Sequence, residues 1–134
     1  FPYTTLFRSL LVSVPGLTVV YGSHRHNVGQ LLVDSVTRWP NPTVFLEHKL
    51  LYGVPQAPGD YQTLPADEQD LGAQVFPTLR SGSVEPDVTL LAFGGMLSVV
   101  EQAAQRLRDD EELEVAAAAA DPSIAPGPIA EAQA

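Results

Sequence analysis

His24, Arg25 and His26 form a local cluster, in a chain of 134 residues, that could hold an anion or a metal ion. Two imidazoles at i and i+2 with no carboxylate beside them leave a metal's donor set incomplete, so the segment reads as a solvated loop. Glu47 beside His48 has the composition of an acid–base pair. The surrounding PTVFLEH reads as a strand, however, where adjacent side chains point to opposite faces and cannot meet one substrate atom together. His48 therefore reads as structural. Gly94-Gly95 follows an apolar run as a phosphate-binding turn would, yet neither G-x-G-x-x-G nor a P-loop pattern is present. The acidic run Asp109 to Glu112 carries no ligand spacing and reads as solvated surface.

Composition excludes whole classes of function. A formal charge of −9 with seven Lys and Arg is the wrong balance for a phosphate backbone, so no nucleic-acid partner is expected. Zero cysteines remove disulfides, thiolate catalysis and Cys-based zinc sites together. No apolar run approaches the roughly 18 residues that span a bilayer, so no membrane partner is expected.

The elements that must position these residues are those of an α/β protein. The run LTVV from Leu17, bounded by Pro15-Gly16, predicts a buried strand. Asn27 is placed to cap a helix whose Val28, Leu31, Leu32 and Val36 share one face. WPNP, Trp39 to Pro42, ends that helix because proline lacks a donor and biases its predecessor away from helical geometry. With PTVFLEH as the next strand, residues 10–52 hold a βαβ unit of a parallel sheet.

Residues 53–70, with Pro55, Pro58, Gly59 and Pro65, predict an extended linker. A second unit follows over 71–134. GAQVF is expected as its first strand, RSGSVEP as a turn and DVTLLAF as a buried strand. After Gly94-Gly95 comes a helix with Met96, Val100, Ala103 and Leu107 as its core stripe. LEVAAAAAD is expected as a strand despite alanine's helical preference, because its position completes a second βαβ unit. The proline-rich tail DPSIAPGPIAEAQA is expected to be irregular.

Three stretches carry a family resemblance. VPGLTVV followed by NPTVFLEHKLLYGVP resembles the beta subunit of thiamine-diphosphate-dependent 2-oxo acid dehydrogenases of the pyruvate and branched-chain type, where N-P-x-x-F-x-E-x-K-x-L-Y closes the pyrimidine-binding domain. The matching residues here are Asn41, Pro42, Phe45, Glu47, Lys49, Leu51 and Tyr52. PDVTLLAFGGMLSVVEQAAQRL is similar to the opening of the family's transketolase-type C-terminal domain. Where the family has P-S-x-P-x-D-A-K-G-L-L this chain has GSHRHNVGQLL, with Asn27 for the Asp and no Lys. The resemblance covers about residues 10–129. Residues 1–9, FPYTTLFRS, are similar instead to one reading frame of a sequencing adapter, and the chain is expected to be an internal fragment.

The resemblance implies the end of a pyrimidine-binding domain joined to the start of a transketolase C-terminal domain. It implies an enzyme that decarboxylates a 2-oxo acid on thiamine diphosphate and magnesium and passes the acyl group to a lipoyl-bearing acyltransferase. Its partners would be an alpha subunit and a second beta subunit. The activating glutamate and an active-site histidine fall upstream of Leu10, and the magnesium-diphosphate motif falls on the alpha subunit. No catalytic or cofactor-binding residue is therefore carried over, and the fragment alone is expected to be inactive. Relatives can also hold potassium through backbone carbonyls, which places a candidate metal site at Val36, Trp39 and Asn41. The implied location is the cytoplasm in a bacterium or the mitochondrial matrix in a eukaryote. Another thiamine enzyme, of the transketolase or deoxyxylulose-phosphate synthase type, is one alternative, although its sugar-phosphate arginine has no counterpart in FLEHKLLYG. A non-enzymatic α/β interaction module is another.

Overall fold

A computed structural model describes residues 10–119 and 123–124. The adapter-like residues 1–9 and most of the proline-rich tail lie outside that range. Thr18–Val20 (β1) is fully buried and pairs in parallel with Thr43–Phe45 (β2), Thr18 opposite Thr43. The helix Val28–Thr37 (α1) crosses between them, giving the expected βαβ unit. The Asn27 side chain accepts from Gln30 N at 3.1 Å and so satisfies one of the first-turn donors. The helix stops at the Arg38 cap, just before the prolines.

The buried face of α1 differs from the expected one. Leu31 and Ser35 are buried and Val28 is partly so, whereas Leu32 and Val36 stand 47% and 76% exposed. The face turned inward runs through positions 28, 31 and 35; Leu32 and Val36 sit beyond its edge.

Residues 53–70 do more than connect. Gln62–Thr63 (β3) pairs antiparallel with Leu79–Gly82 (β4), and Tyr61 is buried in the second core. The expected strand GAQVF is instead part of a helix, Leu71–Val75 (α2). The Asp70 carboxylate accepts from Ala73 N at 2.9 Å, and Pro77 ends the segment, so local capping outweighs its strand-like apolar residues. Val75 and Phe76 then pack with Val20 and Leu31 rather than with the second sheet. The expected turn RSGSVEP likewise gives its first three residues to β4. Gly82 there (φ +90°) lets the backbones close up, since a Cβ would overlap the Val115 carbonyl.

The second sheet has the order β3-β4-β6-β5, with Val88–Ala92 (β5) at one edge and Val115–Ala119 (β6) inside. β5 and β6 are parallel and joined by Leu97–Glu111 (α3), the second βαβ unit. All of β6 is buried, so its place between β4 and β5 overrides alanine's propensity. β5 was expected buried throughout, but Leu91 is 61% exposed: the strand lies at an edge with α3 packed on one face. In α3 the inward residues are Leu97, Val100, Ala104 and Leu107. Met96, expected in the core, is 59% exposed because it belongs to the 3-10 turn Gly94–Met96 ahead of the helix. Ser123–Ile124 (β7), within the tail expected to be irregular, pairs antiparallel with β1.

Candidate functional site

The loop from Ser23 to His26 leaves β1 at its C-terminal end, the end of a parallel strand where α/β folds commonly place their sites. It is not the solvated loop that its composition suggests. Arg25 Nε donates to Glu101 Oε1 at 2.7 Å, and His24 Nε2 lies 3.2 Å from Glu101 Oε2, so one carboxylate of α3 holds both. Arg25 Nη1 also donates to the Ala57 carbonyl at 3.3 Å, and its guanidinium carbon stands 5.4 Å from the Tyr61 ring centre. The hydrogen bond to Glu101 raises the Arg25 pKa further above its ordinary value, partly opposed by burial.

His26 is 3% exposed. Its Nε2 lies 3.1 Å from the Pro77 carbonyl, an acceptor only, so Nε2 carries the hydrogen. Nδ1 then accepts from Ser23 N at 3.2 Å and from Ser23 Oγ at 2.8 Å. Ser23 Oγ in turn accepts from Arg25 N at 3.3 Å. Burial pushes the His26 pKa down, against the opposing hydrogen bond to Pro77, and the nearby His24 lowers it further. Burial likewise pushes the Tyr61 phenol up. A cleft of about 530 Å³ runs beside this loop, lined by Arg25, His26, Gln30, Asp34, Tyr61 and Gln74 among others.

This arrangement is a clasp. Both nitrogens of His26 are committed and the Arg25 charge is met by Glu101, while the buried Nδ1 of His24 has no hydrogen-bond partner. Among the described residues no group of three or more His, Cys, Asp or Glu side chains could hold a metal ion. Glu101 and Tyr61 could not have been found from sequence, because no motif or period links them to a loop so distant along the chain.

The other candidates separate. Tyr52 Oη donates to Glu47 Oε2 at 2.8 Å, which raises the Tyr52 pKa, while His48 turns toward Tyr21 with ring centres 6.2 Å apart. Glu47 and His48 thus make separate contacts, although both lie beyond β2, which ends at Phe45, and not within the expected strand. The Gly94-Gly95 turn is filled by protein: a Cβ at Gly94 would overlap the Tyr21 ring, and one at Gly95 would lie 2.9 Å from His48 Nε2. Val36 lies in the last turn of α1, and Trp39 and Asn41 in the segment that leads from it to β2. There the Trp39 indole donates to Thr18 Oγ1 at 2.8 Å and meets Phe76 edge-on at 5.2 Å, and the Asn41 carbonyl accepts from Thr43 Oγ1 at 3.2 Å.

The chain is similar to the mitochondrial 2-oxoisovalerate dehydrogenase subunit beta 2 of Arabidopsis thaliana, 37% identical over 92 residues, 67% of this chain and 23% of that protein. It is 35% identical to the pyruvate dehydrogenase E1 component subunit beta of Gracilaria tenuistipitata var. liui over 99 residues, 73% of this chain and 27% of that one. Against the mitochondrial pyruvate dehydrogenase E1 component subunit beta-1 of Arabidopsis thaliana it is 28% identical over 111 residues, 81% of this chain and 28% of the relative. The chain spans about a quarter of the length of these relatives. No family model matches it, and no solved structure matches it significantly.

Proposed function

From its kinship with the beta subunits of pyruvate and 2-oxoisovalerate dehydrogenases, we propose that this chain is part of such a subunit, in an enzyme that oxidatively decarboxylates a 2-oxo acid. The observation that carries this reading is the 37% identity over 92 residues to a named beta subunit. The α/β character of the chain, with two successive βαβ units, is consistent with it, and in this reading those units are the end of a pyrimidine-binding domain and the start of a transketolase C-terminal domain.

In this reading the parent enzyme uses thiamine diphosphate with magnesium and hands the acyl group to a lipoyl-bearing acyltransferase. Its partners are an alpha subunit and a second beta subunit, in the mitochondrial matrix of a eukaryote or the cytoplasm of a bacterium. Among the described residues no group of three or more His, Cys, Asp or Glu side chains could hold a metal ion, and none is named as a magnesium ligand. No step of the reaction is assigned to them. Their part is to build walls and to fix one βαβ unit against the next.

Potassium fits better at Val36, Trp39 and Asn41. The last turn of a helix leaves carbonyls without internal donors, and Pro40 has no N–H to offer the Val36 oxygen four residues back. Backbone oxygens of these residues would hold the ion and pin the turn between α1 and β2.

The reading is tested by expressing the full-length parent gene with its neighbouring alpha-subunit gene. Decarboxylation of 2-oxoisovalerate or pyruvate, dependent on both chains, is expected. A full-length pair that is folded, saturated with cofactor and still inert on 2-oxo acids would overturn it.

A further inference from the structure

We propose that His26 is the pin of an acid-opened latch, which holds the β1–α1 loop to the segment entering β4 while its ring is neutral and releases it on protonation. The pin is defined by geometry. Its ring is 3% exposed, receives Ser23 N and Oγ on one nitrogen, and donates from the other to the Pro77 carbonyl, fifty-one positions along the chain. Pro77 follows Phe76, a residue of the first core, and precedes β4 of the second sheet. The contact therefore sits where the two βαβ units meet.

A second proton can enter only at Nδ1. There it would face the Ser23 N–H, a backbone donor that cannot reverse its role, even though the Ser23 hydroxyl can turn its hydrogen away and accept. Two donors pointed at one another inside a buried site repel, and the new charge has lost most of its hydration. The surroundings supply little compensation. Arg25, on the same loop, is cationic, and the nearby His24 opposes a positive charge on the His26 ring. Asp34 from α1 lines the same cleft but meets Arg38 Nη1 at 3.5 Å. Tyr61, ahead of β3, is neutral at these pH values and its pKa is raised, while Glu101 of α3 is engaged by Arg25 and His24. α2 presents Gln74 to the cleft, which carries no charge.

The sign follows from linkage. The His26 pKa is lowered in the closed form relative to the ordinary value of about 6.5, so the open form binds the proton more tightly. Above about 6.5 the latch is at full strength. Below it the ratio of closed to open form falls by up to tenfold per pH unit, until pH reaches the lowered pKa of the closed form.

Two measurements on the wild-type chain test this directly. Exchange of the imidazole C2 hydrogen, followed by mass spectrometry across pH, reads the protonation of His26 itself. Amide protection factors for residues 76–82, corrected for intrinsic exchange, read the latch. Both are expected to change together below pH 6.5, accompanied by a red shift of the single tryptophan, Trp39, which packs on Phe76. In His26→Gln the acid-dependent loss of protection should vanish. The proposal fails if protection over 76–82 holds constant while His26 titrates, or if His26→Gln loses protection at the wild-type midpoint. Should that variant not fold, the wild-type comparison alone decides.

Discussion

Arg25 and Glu101 stand seventy-six positions apart in the chain and meet at 2.7 Å, joining the loop after β1 to the second turn of α3. Each side chain is about a quarter exposed, so the pair is neither dry enough for a large desolvation cost nor wet enough to be fully screened. A double-mutant cycle with Arg25→Met and Glu101→Gln should give a coupling energy of about 1–2 kcal/mol by chemical denaturation. Raising the salt concentration to 1 M should weaken it only in part. Strict additivity of the two substitutions would show that the contact contributes nothing across the junction.

Gly94 is expected to be intolerant of any side chain. Its φ of +50° lies in the left-handed region, and a Cβ there would overlap the Tyr21 ring. Backbone strain and displacement of a buried ring together should cost about 2–4 kcal/mol in Gly94→Ala, read as a lower denaturant midpoint with unchanged slope. A loss under about 0.5 kcal/mol would mean that Tyr21 moves aside freely.

The alternating units were legible because their signals are local. Asn27 before an apolar helix, prolines after it and β-branched runs on either side define β1, α1 and β2 without reference to anything distant. What stayed hidden depends on neighbours far along the chain. Whether Leu32 or Ser35 faces inward is decided by a few tens of degrees of helix rotation, and that by what packs against it. GAQVF is apolar enough for a strand, and only the Asp70 cap and the demand for Phe76 beside Val20 make its first residues a helix. His24, Arg25 and His26 looked solvated because their partners, Glu101 and Pro77, are more than fifty positions away.

Potassium should stabilise the assembled parent complex relative to a large organic cation such as tetramethylammonium at equal ionic strength. The expected rise in Tm is a few degrees, equivalent to about 1–3 kcal/mol of binding linkage when the ion is well above its Kd. Carbonyl ligands are indifferent to side chains, so Val36→Ala should retain the effect. Asn41→Pro, which reshapes the turn, should abolish it. Equal Tm values in the two cations would remove Val36, Trp39 and Asn41 as an ion site.

Expressed alone, this polypeptide is expected neither to bind thiamine diphosphate measurably nor to decarboxylate a 2-oxo acid. In the proposed parent enzyme the magnesium-diphosphate site belongs to the alpha subunit, and among the described residues no group of three or more His, Cys, Asp or Glu side chains could hold a metal ion. Isolation should also leave surfaces that a partner would cover. Leu32, Val33 and Val36 are about half exposed or more on α1, and β5 is an uncharged edge strand without proline, the kind that pairs with another chain. Light scattering should therefore show concentration-dependent self-association, reduced by Leu32→Lys and Leu91→Lys. Titration calorimetry with cofactor and magnesium, run beside an oxidative decarboxylation assay, decides the main point. Saturable micromolar binding, or turnover without added alpha subunit, would mean that a complete site lies within this chain.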